Sequence, residues 1–469
     1  MSEGVHPGFR SAERAVQPTA LDVEGSVPEW LSGTLVRNGP GLFDVGDRRV
    51  NHWFDGLALL RRYAFDDGGI EYASRFLRSS AYADARAGRL AGQFGTDTRG
   101  WRRLLDTLRS LGLPDPTDNA NVHVARIDGE YVALTEAPRR VAFDPASLES
   151  RGEFAFEDDI TEHLAAAHLV EDPHREEWVG FATEFGRRPR YHLYRIPDGA
   201  RSRDPIASIE ADRPAYVHDC SVTREHVLLV ETPLVIRALR ALDPRSTGAI
   251  DMLEWEPDRG TRILVVDRDT GELVAAPDLE PAFCFHHANA YVDADGTVVL
   301  DIVEYPDADI VDAMALSALA SGGFPDVHDG RLVRYRIDLE SETASERSLY
   351  DGGMEFPRIF PGRTGRRHRH VFGQATHRDG QNGLVKIDVE SGEATEWWAE
   401  DVYLEEPVPV RRPGSTASDD GVVLATALDV AVETSSIRVF DAADCSVLAR
   451  AELPAREPFG FHGRFFPAD

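Results

Sequence analysis

The sequence predicts an all-β fold built from propeller blades. The support is its short β-branched strands, a strand–turn–strand unit that recurs, and histidines spaced so that separate blades can each deliver one. Runs such as TRILVVD (261–267), GTVVLDIVEY (296–305) and GVVLATALDV (421–430) are apolar and bounded by Asp, Gly and Pro, the pattern of strands between tight turns. Strongly helical segments are few. The recurring unit is an apolar strand closed by aspartate, a polar turn and a second strand, starting at Val141, Leu264, Tyr335, Val385 and Arg438. Its closing aspartates are Asp144, Asp267, Asp338, Asp388 and Asp441, and the last three lie 50 and 53 residues apart, as four-stranded blades do. The earlier gaps of 123 and 71 residues leave room for blades with enlarged loops or a decayed repeat. A β-sandwich array would not explain hairpins at this period.

Composition narrows the function classes. The 469 residues carry 51 Lys+Arg against 81 Asp+Glu, a formal net charge of −30, and Lys386 is the one lysine. A chain 42% hydrophobic and 28% charged packs as an ordinary globule. The charge balance excludes a general nucleic-acid binder, which needs a basic footprint. It suits a hydrated, self-repelling surface in high salt, as in a halophilic microbe. No Pro/Ser/Gly tract divides the chain, so 1–469 is expected to be a single domain. The cysteines Cys220, Cys284 and Cys445 imply no disulfide framework. No run of eighteen apolar residues exists, and the opening MSEGVHPGFRSAERAVQP lacks the core of a secretory signal. The expectation is a cytoplasmic protein.

One segment departs from the strand pattern. RGWRRLLDTLRSLGL (99–113) sets Trp101, Leu104, Leu105, Leu108 and Leu111 at helical spacing beside Arg99, Arg102, Arg103 and Arg109. A basic amphipathic helix in so acidic a chain is expected to meet a membrane surface or to pack on the propeller.

No compact metal or nucleotide motif links the sixteen histidines. In a propeller, however, each blade can send one ligand to the axis. His168 (LAAAHLV), His218 (AYVHDCSVT), His286 (AFCFHHANAYV) and His462 (PFGFHGRFF) sit in apolar strand contexts, separated by 50, 68 and 176 residues.

Seven segments then carry a resemblance. They are GSVPEWLSGTLVRNGPGLFDVGDRRVNHWFDGLALL (25–60), TDNANVHVARIDGEYVALTE (117–136), VHDCSVTREHVLLVETP (217–233), FHHANAYVDADGTVVLD (285–301), MEFPRI (354–359), EEPVPVRRPGSTASDDGVVL (405–424) and FHGRFF (461–466). In this order they resemble the motifs of the carotenoid cleavage oxygenase family, nearest its animal β-carotene oxygenase and retinoid isomerase branch. The resemblance implies a seven-bladed β-propeller with an axial metal site and short helical insertions capping one face. It further implies one Fe(II) per chain, held by His168, His218, His286 and His462, with O2 as co-substrate. At the first site the family's following proline is replaced by Leu169, and His163 and His174 are nearby alternatives. At the third, the family's H-x-x-N frame fits His286 with Asn289 and leaves His287 as a neighbour. Glu136, Glu355 and Glu406 are the implied carboxylate partners of the ligands, with Glu405 a possible register alternative to Glu406.

Chemistry agrees with this assignment. Imidazoles suit several borderline metals, and a ligating histidine needs its other N–H held, which a carboxylate does. Ground-state dioxygen reacts poorly with a closed-shell polyene, so a redox-active metal is required. The expected reaction is scission of one carotenoid double bond, with β-carotene to retinal ranked first. Off-centre cleavage, an apocarotenoid or stilbenoid substrate, or retinoid isomerisation ranks second, and a metal-free binding propeller last. The 99–113 helix would bring the enzyme reversibly to the membrane that holds its substrate. No obligate protein partner is implied. Cys220 and Cys284 are expected to be core residues and His52 structural. Thr135 is either a small shield beside the open coordination position or a core residue.

Overall fold

The computed structural model describes residues 5–90, 94–96, 116–243, 246, 248–319 and 327–468. The amphipathic segment 99–113 lies outside them. Seven antiparallel sheets stand around one axis, so the all-β, seven-bladed propeller is confirmed. Blade 1 comprises Val16–Ala20, Gly33–Arg37, Leu57–Asp66 and Gly69–Phe76, and Gly463–Pro467 joins it as the strand nearest the axis. Blade 2 comprises His123–Ile127, Glu130–Leu134, Arg140–Phe143 and Ser150–Phe154. Blade 3 runs from Leu164–Ala165 and Val170–Asp172 through Glu177–Glu184 and Arg190–Pro197 to Asp204–Glu210. Blade 4 begins at Cys220–Val222, blade 5 at Phe283–Val292, blade 6 at Met354–Arg358, and blade 7 at Val402–Leu404 and Val408–Arg411.

Alternation along the strands makes both faces of each blade apolar, and the core is the set of layers where neighbouring blades meet. Leu228, Val230, Ile263 and Val265 of blade 4, for example, pack on Leu300, Ile302 and Val333 of blade 5. The recurring aspartates prove to be turn formers. Asp144, Asp267, Asp338, Asp388 and Asp441 each end the third strand of a blade, and each carboxylate accepts backbone N–H groups of the turn that follows.

The ring is sewn shut twice. Gly463–Pro467 pairs with Gly33–Arg37, and Val23–Gly25 adds to the outer strand Val447–Glu452 of blade 7. The closing segment is anchored by Glu457, a buried carboxylate. It accepts the hydroxyl of Tyr63 at 2.7 Å and that of Tyr72, and lies 3.3 Å from Nε of the fully buried Arg61. Arg61 also donates to the carbonyl of Pro458 at 2.7 Å.

A second buried pair braces blade 5. Asp301 and Arg334 face each other across the ladder, joined by two hydrogen bonds of 2.7 Å. Burial pushes the Asp301 carboxyl up, but hydrogen bonds from Arg334 and the nearby His368 outweigh it and hold the group below its usual range. A depressed carboxylate stabilises the fold above its unfolded pKa, about 3.9. That stability drains away as pH falls through the folded value. Asp301→Asn is therefore expected to cost about 3–5 kcal/mol at neutral pH. In acid titrations followed by circular dichroism, the gap from wild type should shrink below about pH 4. A constant gap would contradict the assignment.

The described helices are short. Ser80–Arg86 and Asp309–Ala313 contribute Asp84 and Ile310 to the lining of a large cavity, which Met314 also joins, while Leu316–Leu319 packs its leucines in a buried cluster with Trp53. Among the described residues no helix is long and apolar enough to cross a membrane.

Candidate metal centre

Four histidines converge at the axis. His168 lies between two short inner strands of blade 3, His218 just before the inner strand of blade 4, His286 within that of blade 5, and His462 just before that of blade 1. One ring nitrogen from each lies within 4.8 Å of the others. Nitrogens about 2 Å from a shared ion fall about 3–4 Å apart, so a small inward shift lets the four share one. All four residues are buried. His168 is central, with ring centroids 4.7, 5.2 and 4.3 Å from His218, His286 and His462.

The remaining three blades supply carboxylates. Glu136 of blade 2 takes the Nδ1 hydrogen of His218 at 2.6 Å. Glu355 of blade 6 does so for His286 at 2.6 Å, and Glu406 of blade 7 for His462 at 2.8 Å. Each of the seven blades thus contributes one residue. With Nδ1 holding the proton, Nε2 presents its lone pair inward. The Nε2 atoms of His168 and His286 are buried and without a hydrogen-bond partner, which a cation would satisfy. His168 has no carboxylate partner among the described residues.

Burial dominates the electrostatics. It pushes His168 well below the usual histidine range and His462 down to about 3, so both are neutral, as a ligand must be. Burial also lowers His286, but the Glu355 carboxylate more than offsets it and the net direction is upward. Against the upward pull of burial, Glu355 is held low chiefly by its neighbour His286 and Glu406 chiefly by the Arg358 guanidinium.

The structure separates the alternatives. His163 accepts the N–H of Phe185 at 3.0 Å, and His174 bonds to the carbonyl of Gly362; neither joins the cluster. Glu405 accepts from Thr426 and Gly460, leaving His462 to Glu406. His287 pairs with Ser221 at 2.9 Å, and His52 caps a turn at Phe54 and donates to Val311. Cys220 and Cys284 are buried thiols that burial pushes well up, away from the thiolate form. Thr135 lines the cavity beside Glu136.

A sequence profile of the family described as retinal pigment epithelial membrane protein matches residues 9–467. The chain belongs to the carotenoid cleavage oxygenase family. It is 32% identical to the chloroplastic carotenoid cleavage dioxygenase 8 homolog A of Oryza sativa, over 96% of this chain and 85% of that one. It is 30% identical to the mitochondrial carotenoid-cleaving dioxygenase of Mustela putorius furo, over 98% and 96%. A variant of the Synechocystis apocarotenoid oxygenase superposes with a TM-score of 0.88 at 27% identity, over 98% of both chains. The cobalt-substituted form of that oxygenase gives 0.85 at 26% identity, over 100% of this chain and 99% of that one.

Around the three carboxylates lies a further layer that the sequence did not reveal. The hydroxyl of Tyr216 donates to Glu136 at 2.9 Å, that of Tyr305 to Glu355 at 2.9 Å, and Arg358 donates to Glu406 at 2.9 Å. Each carboxylate that holds a histidine is itself held. Tyr216 stands two residues before His218, and Arg358 three after Glu355, so adjacency was the available signal. His123 was missed as well; it stacks on His462 with centroids 5.2 Å apart. Phe356, at φ 51°, keeps its ring 5.2 Å from both His286 and His462 in a backbone conformation that phenylalanine rarely adopts.

The centre opens onto a cavity of about 1730 Å³, lined by His218, His286, His462, Glu136, Glu355 and Phe356 among others. Drug-sized ligands occupy about 300–1,000 Å³, so this space suits a longer molecule.

Proposed function

We propose that the chain is an Fe(II)-dependent dioxygenase that cleaves one double bond of a carotenoid or apocarotenoid. The observation that carries this is the opening of the four-histidine cluster into a large cavity whose walls include several aromatic and aliphatic side chains. His168, His218, His286 and His462 would hold the iron, four neutral ligands of a six-coordinate ion. The ion supplies the redox chemistry that lets dioxygen react with a closed-shell polyene. Glu136, Glu355 and Glu406 keep three Nδ1 protons in place and so aim three Nε2 lone pairs inward. Their negative charge offsets that of the cation. Phe54, Phe94, Leu164 and Phe185 would grip the hydrocarbon and exclude water.

β-Carotene, cleaved centrally to retinal, is the first substrate to offer. Iron-loaded protein incubated with it should yield retinal in air and none under anaerobic conditions, as read by chromatography. Ionone-type fragments would redirect the reading to off-centre cleavage, and a changed double-bond geometry without scission would redirect it to isomerisation. A protein that transforms no polyene in air would defeat the proposal.

Thr96 and Pro116, the described residues that bracket 99–113 in the sequence, both line the cavity. Docking through 99–113 would therefore bring lipid-dissolved substrate to this end of the cavity.

A further inference from the structure

The cavity lining combines apolar and polar side chains. Phe54, Phe94, Leu164, Phe185 and Met252 form part of one apolar cluster, with the rings of Phe54 and Phe94 4.9 Å apart. The lining also includes Asn382 and Tyr403, which stand side by side in a parallel bridge between blades 6 and 7. Their backbones are fixed on each other's neighbours: Asn382 N–H donates to Val402, and Leu404 N–H to Asn382, both at 3.1 Å. Asn382 is 6% and Tyr403 4% exposed, yet neither side chain has a hydrogen-bond partner among the described residues. Neither is fully occluded, since no polar atom of either is among the wholly buried, unpaired ones. Asn382 and Tyr403 thus line the cavity from adjacent positions with an amide and a phenol that no protein group among the described residues pairs.

Buried polar groups are ordinarily paired, and leaving two against a hydrocarbon forfeits that pairing. We propose that Asn382 and Tyr403 recognise an oxygen atom at one end of the polyene. The preferred substrate is then an oxygen-bearing carotenoid or apocarotenoid rather than an all-hydrocarbon one. The amide offers both donor and acceptor, and the phenol adds a second of each, so a ring hydroxyl or a terminal aldehyde satisfies the pair. The apolar side chains take the remainder of the polyene. This inference rests on the polyene cleavage proposed above and narrows its substrate class. β-Carotene is then accepted as the weaker substrate. An analogue lacking the oxygen leaves the pair unpartnered and binds less tightly.

Binding measured without oxygen separates the subsite from the reaction. The purified protein, kept anaerobic, is titrated with β-carotene, its ring-hydroxylated counterpart and an apocarotenal, and quenching of tryptophan fluorescence is followed. One oxygenated polyene or both should bind about tenfold more tightly than the hydrocarbon, and whichever does so names the source of the oxygen. Tyr403→Phe keeps the ring and its packing, so it tests the hydroxyl alone; Asn382→Leu tests the amide. Each should pull the ratio of dissociation constants toward one. Equal binding of all three by the wild type, or a ratio that neither variant moves, would overturn the inference. If the protein shows this preference but cleaves nothing in air, the proposed reaction falls and the oxygen-binding subsite stands.

Discussion

His218→Ala is expected to abolish both metal retention and turnover. The residue supplies one of four converging nitrogens, and its removal also strands the Glu136 carboxylate, which then keeps only Tyr216. Elemental analysis after iron loading should fall from one ion per chain toward none, and aldehyde products should vanish with it. Replacing the supporting carboxylate instead gives a graded result. Glu136→Gln keeps the shape but no longer fixes the imidazole proton as firmly, and it should weaken metal affinity by about 10–100-fold. A His218→Ala protein that still binds one iron and cleaves substrate would remove the four-histidine centre from the mechanism.

The largest expected effect on folding lies at Glu457. Substitution by alanine leaves the fully buried Arg61 without its close carboxylate and unties Tyr63 and Tyr72 from the segment that leads to His462. Breaking a buried ion pair by removing one partner costs about 3–5 kcal/mol, because the surviving charge stays desolvated. Urea unfolding should register that loss, while Glu457→Gln, which keeps an acceptor for the tyrosines, should lose less. A cost under about 1 kcal/mol would mean that water or another carboxylate replaces Glu457, and that the closing segment is held by strand pairing alone.

These residues also show what the chain discloses before it folds. The blade period is legible from Asp338 onward because three successive blades reuse one turn, in which an aspartate caps the N–H groups that follow it. It fades where the local chemistry changes. Blade 1 turns through Asp67 and Gly68, both at positive φ, and blade 3 through Gly199 at φ 70°, so neither needs the capping aspartate. The gap before Asp338 is long because blade 5 carries the helices Asp309–Ala313 and Leu316–Leu319 between its second and third strands. The four histidines stand out through their apolar contexts, and one per blade is a spacing that sequence can display. The choice between Glu405 and Glu406 is not, since both lie in the short break between Val402–Leu404 and Val408–Arg411 and only the folded backbone decides which one meets His462. Tyr216, Tyr305 and Arg358 stayed hidden because their partners lie on other blades, and Asn382 with Tyr403 because what marks them is a missing partner.

The double seam has a consequence for biogenesis. Gly463–Pro467 must find Gly33–Arg37, a pairing of very high sequence separation that is reached late and slowly. His462 adjoins that strand, and its carboxylate partner comes from yet another blade. A half-made ring therefore offers no finished cradle, only scattered imidazoles of ordinary affinity. A metal ion of the kind proposed would be captured only once the last strand has docked, which would keep its redox chemistry off immature chains. An ion held by four blades at once would not be freed by one side chain swinging aside.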